Sequence, residues 1–374
     1  MRFVPALQKI TPYVPGRSIE LVMREFGLSD VVKLASNESP LPPFDEVKQA
    51  IIGGLDELNR YPDGDATDLR AALAARFERD PEQVMVGNGS CELLMLLGDA
   101  LLEKGDEVVF ADPSFVVYND ICTLHEATPV AVPLVDFTHD LEAMSAAVTP
   151  RTKMVIVCNP NNPTGTYLPV AEIARFVEAV PSEVLIVVDE AYNEFVTAAD
   201  REDAVKLQAA HENVVVLRTF SKIYGLSGLR VGYGLGAPEL KMALDKVRQP
   251  FNINRLAQIA AIEALKHQDQ VEWRRQYNAA VRSAMVTRLA ERGRATVPTE
   301  TNFMLVDTRD LCHPHEKICG VLLSRGAIVR DGNALGCPGW ARVTVGTESD
   351  IEFFLSKMGE LEVDRQVSVE GGSS

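Results

Sequence analysis

Basic residues are scarce in this chain of 374 residues: 37 lysines and arginines stand against 53 aspartates and glutamates, a formal net charge of −16. That balance leaves no broad basic footprint for a nucleic acid or an anionic membrane surface. It still allows a few placed arginines to hold one phosphate. Long apolar runs are also missing, and the opening MRFVPALQKI lacks the apolar stretch of a secretion signal, so a cytoplasmic protein with no membrane span is expected. The six cysteines (Cys91, Cys122, Cys158, Cys312, Cys319 and Cys337) have no disulfide rhythm and should be reduced. Cys312-His313-Pro314-His315 with Cys319 lacks the paired ligands that a zinc loop carries at both ends. It reads as the proline-marked start of an amphipathic helix near 315–325, and no metal is expected. Internal repeats, low-complexity segments and a P-loop are absent as well.

What is present is ordinary globular composition, 46% hydrophobic and 24% charged, in a chain long enough for a large domain and a smaller one. Residues 1–30, with turn signals at Thr11-Pro12 and Val14-Pro15-Gly16, read as an N-terminal arm. From about residue 45, short aliphatic runs alternate with helical patterns: Val84–Val86, Val108–Phe110, Met154–Val157, Val184–Val188 and Val214–Leu217. Such runs predict parallel strands buried on both faces. The expected fold is α/β, a large domain (31–255) around a mostly parallel seven-stranded type of sheet. After Pro250 a long helical stretch (255–292) leads to the strand-like segments Phe303–Val306, Ala327–Arg330 and Ala341–Val345. These predict a smaller α+β domain (256–365) that takes in part of the arm, and a disordered tail (366–374).

In an open parallel sheet, ligands bind beyond the carboxyl ends of the strands, and here five strand ends carry distinctive segments. Gly87-Asn88-Gly89-Ser90-Cys91-Glu92 opens an apolar helix and could cradle a phosphate on backbone N–H groups. It is no dinucleotide fingerprint, because Glu92 fills the third glycine position. Asp112-Pro113-Ser114-Phe115 offers an aromatic ring for stacking. Asn159-Pro160-Asn161-Asn162-Pro163-Thr164-Gly165 is dense in amide donors. Asp189-Glu190-Ala191-Tyr192 places an acid directly after five aliphatic residues, where it needs a cationic partner. Arg218-Thr219-Phe220-Ser221-Lys222, followed by Gly225-Leu226-Ser227-Gly228-Leu229-Arg230, surrounds a lysine with hydroxyls and a guanidinium, the groups that neutralise a phosphate dianion.

One cofactor requires all of these together. Pyridoxal phosphate needs a lysine amine for covalent attachment and a carboxylate that keeps its ring nitrogen protonated. It also needs donors to its phenolic oxygen, an aromatic platform and a phosphate cup. Lys222, Asp189, Asn162 with Tyr192, Phe115, and Gly89, Ser90, Thr219, Ser221 and Arg230 answer these in turn.

The segments Asn159–Gly165, Asp189–Tyr192 and Arg218–Arg230 resemble those of fold-type I aminotransferases, and within them the histidinol-phosphate aminotransferase branch. Pro12–Gly16, Asn37-Glu38-Ser39-Pro40, Tyr61-Pro62-Asp63, Asn302-Phe303 and Arg342–Gly346 agree, so the likeness runs from about residue 8 to 362. The resemblance implies a homodimer with shared active sites, in which Tyr61 touches the neighbouring subunit's cofactor phosphate. It implies that Arg342 binds the α-carboxylate of glutamate, that Tyr13 and Arg330 hold a substrate phosphate, and that Asn37 lies at the substrate. Two positions depart from the pattern: Cys91 stands where the family usually has aspartate, and Phe115 where it often has tyrosine. The interval from Arg330 to Arg342 is also slightly short, which leaves the role of Arg330 open.

The implied reaction is ping-pong transamination between a small-molecule amino donor and a 2-oxo acid, with Lys222 as the proton carrier and Asp189 and Tyr192 beside it. The leading substrate reading is L-histidinol phosphate with 2-oxoglutarate, in histidine biosynthesis. An aromatic amino-acid aminotransferase and a decarboxylase of a phosphorylated amino acid are the alternatives. A ligand sensor of a transcription regulator would need a DNA-binding module, for which the acidic chain has no room.

Overall fold

The structure is a computed structural model describing residues 1–12, 16–309, 311 and 318–371, with 363–371 as backbone only. Tyr13, and Cys312 through His315 of the cysteine–histidine segment, lie outside the described residues.

A seven-stranded sheet organises the larger part of the chain. Its strands are β2 (Val84–Gly87), β3 (Glu107–Asp112), β4 (Thr128–Pro133), β5 (Thr152–Cys158), β6 (Leu185–Asp189), β7 (Val214–Thr219) and β8 (Gly232–Leu235), in the order β2-β8-β7-β6-β5-β3-β4. The sheet is parallel except for β8, which runs antiparallel to both β2 and β7. Alternate residues of each central strand enter opposite apolar layers. Val155, Val157, Ile186, Val188, Val214 and Val216 face one core, while Met154, Ile156, Leu185, Val187, Val215 and Leu217 face the other. The first core is covered by α2 (Asp45–Gly53), α3 (Thr67–Phe77) and α7 (Val170–Ala179), and the second by α4 (Ser90–Leu101), α5 (Val117–Leu124) and α9 (Pro238–Val247). Shorter helices α6 (Leu141–Ala146) and α8 (Val205–Ala210) fill the flanks.

Two strands of this sheet escaped the sequence reading. Strand β4 is the sheet edge and half exposed. Its Pro129 and Pro133 break the aliphatic signature, and an edge is where a strand tolerates proline. Strand β8 reads Gly-Tyr-Gly-Leu. A Cβ on Gly232 would lie 2.5 Å from Ser90 N, so close approach of the α4 N-terminus requires glycine there.

The second unit is built on β9 (Phe303–Asp307), β11 (Arg330–Asp331) and β12 (Trp340–Thr344), an antiparallel sheet in the order β11-β12-β9. Strand β1 (Val32–Lys33) joins β10 (Ala327–Ile328) in parallel across almost the whole chain length. Helices α1 (Ile19–Phe26), α12 (Ile318–Ser324) and α13 (Glu348–Gly371) pack around them.

Three boundaries differ from the sequence reading. The helical stretch 255–292 is two helices, α10 (Arg255–Leu265) and α11 (Gln268–Glu291), parted at the polar Lys266-His267. Ala257, Ala260, Ala261 and Ala264 of α10 and Val271 of α11 belong to the large core, whereas Val281, Met285 and Leu289 belong to the small one. The division therefore falls within α11 rather than at 255/256, and β1 with Leu34 belongs to the small unit. Helix α13 continues to Gly371, past the boundary set at 366.

Helix α4 carries the loop below which the site lies, and Leu93, Leu94 and Leu97 seat it, each about 1% exposed or less. Burial of each contributes about 1.5–3 kcal/mol. The substitution Leu97→Ala is expected to lower unfolding free energy by about 2–5 kcal/mol in urea titration, through lost burial and the cavity left behind.

Candidate active site

The carboxyl ends of β3, β5, β6 and β7 converge on one crevice. Strand alternation decides which side chains enter it. Asp189 follows Val188, so it turns to the α4/α5 side of the sheet, and its register partner on β5 is Cys158. Glu190 turns to the other side, where Arg218 donates to its Oε2 from Nε (2.8 Å) and Nη2 (2.6 Å). The acid pair Asp189-Glu190 is thus split between two functions by the pleat alone.

Asp189 is 3% exposed. Tyr118 Oη donates to its Oδ2 at 2.8 Å and the Ala191 N–H to its Oδ1 at 3.2 Å. Burial pushes the carboxyl pKa up, opposed by the Tyr118 hydrogen bond, the Ala191 N–H and the Lys222 charge. Its hydrogen-bond partners among the described residues are neutral, so this site has room for a cation supplied by a ligand. Tyr118 was not singled out from the sequence. The available signal was its place one helical turn after Phe115, against whose ring it stands edge-on at 5.8 Å.

Lys222 follows β7 in a tight elbow. Its Nζ donates to Asn37 O at 3.2 Å and lies 5.5 Å from the centre of the Tyr192 ring. Burial, with the Arg342 and Arg230 charges, brings its pKa down to about 8 against the opposing pull of Glu38 and Asp189. Near neutral pH most of the lysine is still ammonium, but the neutral amine, the form that attacks a carbonyl, is reached far more readily than in a solvated lysine.

Asn37 is the hub between the two units. It is 1% exposed and left-handed, with φ of 52°. Its Nδ2 donates to Tyr192 Oη (3.0 Å), its N–H to Thr344 Oγ1 (3.0 Å), and its carbonyl accepts from Asn302 Nδ2 (3.2 Å) as well as from Lys222. Tyr192 packs edge-on against Phe303 at 5.0 Å. In the Asn159–Gly165 loop, Asn159 and Asn161 are spent on holding the loop itself, through Leu168, Pro113, Ser114 and Thr164. Asn162 faces the crevice: its Oδ1 accepts from Arg342 Nη1 at 2.5 Å, which leaves Nδ2 as its donor end. A second Arg342 nitrogen reaches Ala35 O at 3.0 Å. Arg330 and Arg342 are direct register partners on β11 and β12. Directly paired residues share a sheet face, so the short interval between them is a hairpin that sets two guanidinium side chains side by side.

The expected phosphate cup is assembled from β2, β7 and the elbow. Gly89 (φ 77°) precedes α4, and a Cβ there would stand 2.8 Å from Arg230 Nη2. Arg230, itself left-handed at φ 59°, donates to Ser221 Oγ at 3.1 Å and to Asn88 O at 3.3 Å. Ser90 and Cys91 begin α4, where N–H groups lack helical partners. Burial pushes the Cys91 thiol pKa up, so it adds no negative charge at neutral pH. Thr219 differs from expectation: its hydroxyl accepts from Ser221 N–H (3.1 Å) and donates to Val231 O (3.4 Å), shaping the elbow. Tyr61 is 79% exposed and stacked on Phe251 at 4.6 Å, on the outer surface. Among the described residues no cluster of His, Cys, Asp or Glu could hold a metal ion, and no helix is long and apolar enough to cross a membrane.

A lysine of lowered pKa, a buried carboxylate awaiting a cation and a glycine-lined cup at a helix N-terminus, all on the carboxyl edge of this sheet, define an aminotransferase. Residues 29–358 match the family described as Aminotransferase class I and II, and the chain belongs to that family; it is a pyridoxal-phosphate-dependent transaminase. It is 44% identical to the histidinol-phosphate aminotransferase of Moorella thermoacetica over 95% of this chain and 92% of that one. It is 43% identical to that of Brevibacillus brevis over 93% and 95%. Among solved structures, histidinol-phosphate aminotransferase from Sinorhizobium meliloti in complex with pyridoxal-5′-phosphate superposes with a TM-score of 0.87 at 30% identity, covering 96% and 97% of the two chains. An aspartate aminotransferase double mutant from Thermus thermophilus gives 0.83 at 26%, covering 96% and 100%. The resemblance read from the motifs is borne out in family, fold and cofactor.

The Tyr118–Asp189 bond gives a pH prediction. Asp189 titrates above its ordinary value because of burial, and the bond holds it down. In Tyr118→Phe the carboxylate should therefore be lost at higher pH on acidification. The acid limb of the activity profile is expected to move up by roughly one pH unit, measured as initial rates from acidic to neutral pH.

Proposed function

We propose that this aminotransferase moves the amino group of L-histidinol phosphate to 2-oxoglutarate, giving imidazole-acetol phosphate and glutamate, as a cytoplasmic homodimer. The observation that carries the substrate reading is the cross-strand pair of Arg330 and Arg342, two cations on one face of the small sheet. A donor bearing a phosphate and an acceptor bearing two carboxylates both need more than one anion-binding group.

The residues fit pyridoxal phosphate. Asp189 would hold the proton on the ring nitrogen, Phe115 would stack on the ring, and Asn162 Nδ2 with Tyr192 Oη would donate to the phenolic oxygen. Gly89, Ser90, Cys91, Ser221 and Arg230 would take the phosphate, with Thr219 setting the elbow that presents Ser221. When bound, the cofactor supplies an aldehyde that carries the amino group and a protonated ring that draws electrons from the substrate Cα.

The chain's own residues do the rest. Lys222 would hold the cofactor, and its amine, when free and neutral, would take the Cα proton and return it on the other side of the transfer. Arg342 orients the carboxylate of glutamate. An incoming carboxylate competes well for it, because it brings a full opposite charge and can take the guanidinium bidentately, which the neutral Asn162 oxygen cannot. Asn37 keeps Tyr192 and Lys222 in register through two of its groups and acts as a support beside the substrate. Exposed Tyr61, with Ile52, Leu55, Leu58 and Phe251 also exposed, supports the dimer reading: Tyr61 would complete the partner's cup.

Lys222→Ala is expected to cut turnover by roughly a thousandfold or more with the fold intact by circular dichroism; near-normal turnover removes the assignment. In the wild-type apoprotein, the rate of covalent capture of pyridoxal phosphate should rise with pH through a midpoint near pH 8, where half of Lys222 is neutral, and level off above it, as followed by absorbance. A donor panel with 2-oxoglutarate should favour histidinol phosphate over phenylalanine in kcat/KM. Arg330→Ala should raise KM for the phosphorylated donor by roughly tenfold and spare phenylalanine. Preference for phenylalanine supports the aromatic aminotransferase, and release of carbon dioxide without a keto-acid requirement supports the decarboxylase.

A further inference from the structure

The loop between β2 and α4 must hold several backbone N–H groups toward one point, yet Gly87 before it and Gly89 within it have no side chains to fix them. The residue that fixes it is the one that spoils the dinucleotide fingerprint. Three donors converge on the carboxylate of Glu92. Its Oε2 accepts from the Asn88 N–H at 2.6 Å and from Asn252 Nδ2 at 2.8 Å, and its Oε1 from Asn88 Nδ2 at 3.2 Å. Asn88 Nδ2 also donates to Asn252 O at 2.7 Å, and the Asn88 carbonyl accepts from Arg230. Gly87 lies so close that a Cβ would stand 3.2 Å from Glu92 Oε2 and 2.9 Å from Leu93 Cγ. On the opposite side the loop rests on Gly232.

We propose that Glu92 is a positioning residue for the phosphate cup: its carboxylate clamps Asn88 to Asn252 and so aims the Gly89–Cys91 backbone and Arg230 at the cofactor phosphate. The proposal rests on the pyridoxal-phosphate reading of this cup. A carboxylate beside a phosphate dianion is unfavourable on charge alone. Here both oxygens are spent on Asn88 and Asn252, and the first turn of a helix favours an acid, so the contribution of Glu92 is geometric. The clamp also ties the cup to the segment carrying Phe251, on which Tyr61 stacks.

The test is the discrimination between pyridoxal phosphate and pyridoxal, which shares the ring and aldehyde but lacks the phosphate. Dissociation constants of both are measured on wild-type, Glu92→Gln and Glu92→Ala apoproteins from the absorbance of the Lys222 adduct, with thermal melting alongside. Glu92→Ala is expected to weaken pyridoxal phosphate roughly tenfold and leave pyridoxal unchanged, so the ratio falls by the same factor. Glu92→Gln, which keeps one acceptor oxygen, should fall between. Equal weakening of both ligands, or a lower melting temperature with an unchanged ratio, overturns the proposal and reduces Glu92 to a cap of α4. If Glu92→Ala does not fold, Asn252→Ala removes one of the three donors and must lower the ratio in the same direction; an unchanged ratio there overturns it equally. A wild-type protein with no preference for pyridoxal phosphate over pyridoxal would instead refute the phosphate-cup reading itself.

Discussion

The arrangement of this molecule depends on the buried carboxylate of Asp189. It ends β6 with five aliphatic residues behind it, in an interior where an unpaired charge is costly. Two neutral donors, Tyr118 Oη and Ala191 N–H, keep it supplied with hydrogen bonds without cancelling its charge. A salt bridge would have satisfied the carboxylate and left nothing for a ligand. The adjacent acid shows the contrast: Glu190, one residue on and across the sheet, is paired with Arg218. The charge left over at Asp189 is what makes the crevice a site for a cation that the protein does not itself provide.

From that constraint the electrostatics of Lys222 follow. Asp189 and Glu38 favour its charged form, while burial, Arg342 and Arg230 oppose it and prevail. The two arginines are also bonded elsewhere, Arg342 to Asn162 and Ala35 and Arg230 to Ser221 and Asn88, so the amine is lowered by groups that have partners of their own. The lysine needs no dedicated neighbour to make it nucleophilic. Its ammonium form also has an acceptor at hand, Asn37 O, so either protonation state is accommodated without moving the elbow.

How much of this was legible in the sequence follows from the range of the interactions. Strand ends declare themselves locally, through aliphatic runs that stop at Asp, Asn or Gly, and so Asp189, Asn162, Lys222 and the Gly89 loop could be read in order. Tyr118 could not, because an aromatic residue in a helix looks like core until the strand that it faces is known. Thr219 was read as a phosphate donor from its neighbours, but a hydroxyl two residues before an N–H in a turn is more readily used by the turn itself. The break within 255–292 carries neither Gly nor Pro, and α11 keeps one continuous helical periodicity while passing from one core to the other. The pairing of β1 with β10 joins residues nearly three hundred apart, and no local pattern records it.

That long-range pairing matters for chemistry as well as for fold. Because β1 is built into the small unit, the chain re-enters the large one at Asn37, directly in front of Lys222. Asn37 is thereby fixed from the small unit by Thr344 and Asn302 and reports to the large one through Tyr192 and Lys222. Arg342 makes a second such bridge, to Asn162 on one side and Ala35 on the other. Any shift between the units must break or exchange these bonds, and their acceptors include neutral oxygens that a substrate anion can outbid. The position of the small unit and the bonding of Arg342 are therefore coupled by the same few hydrogen bonds. The left-handed backbone of Asn37 stands at this junction, its carbonyl toward Lys222 and its side chain on Tyr192.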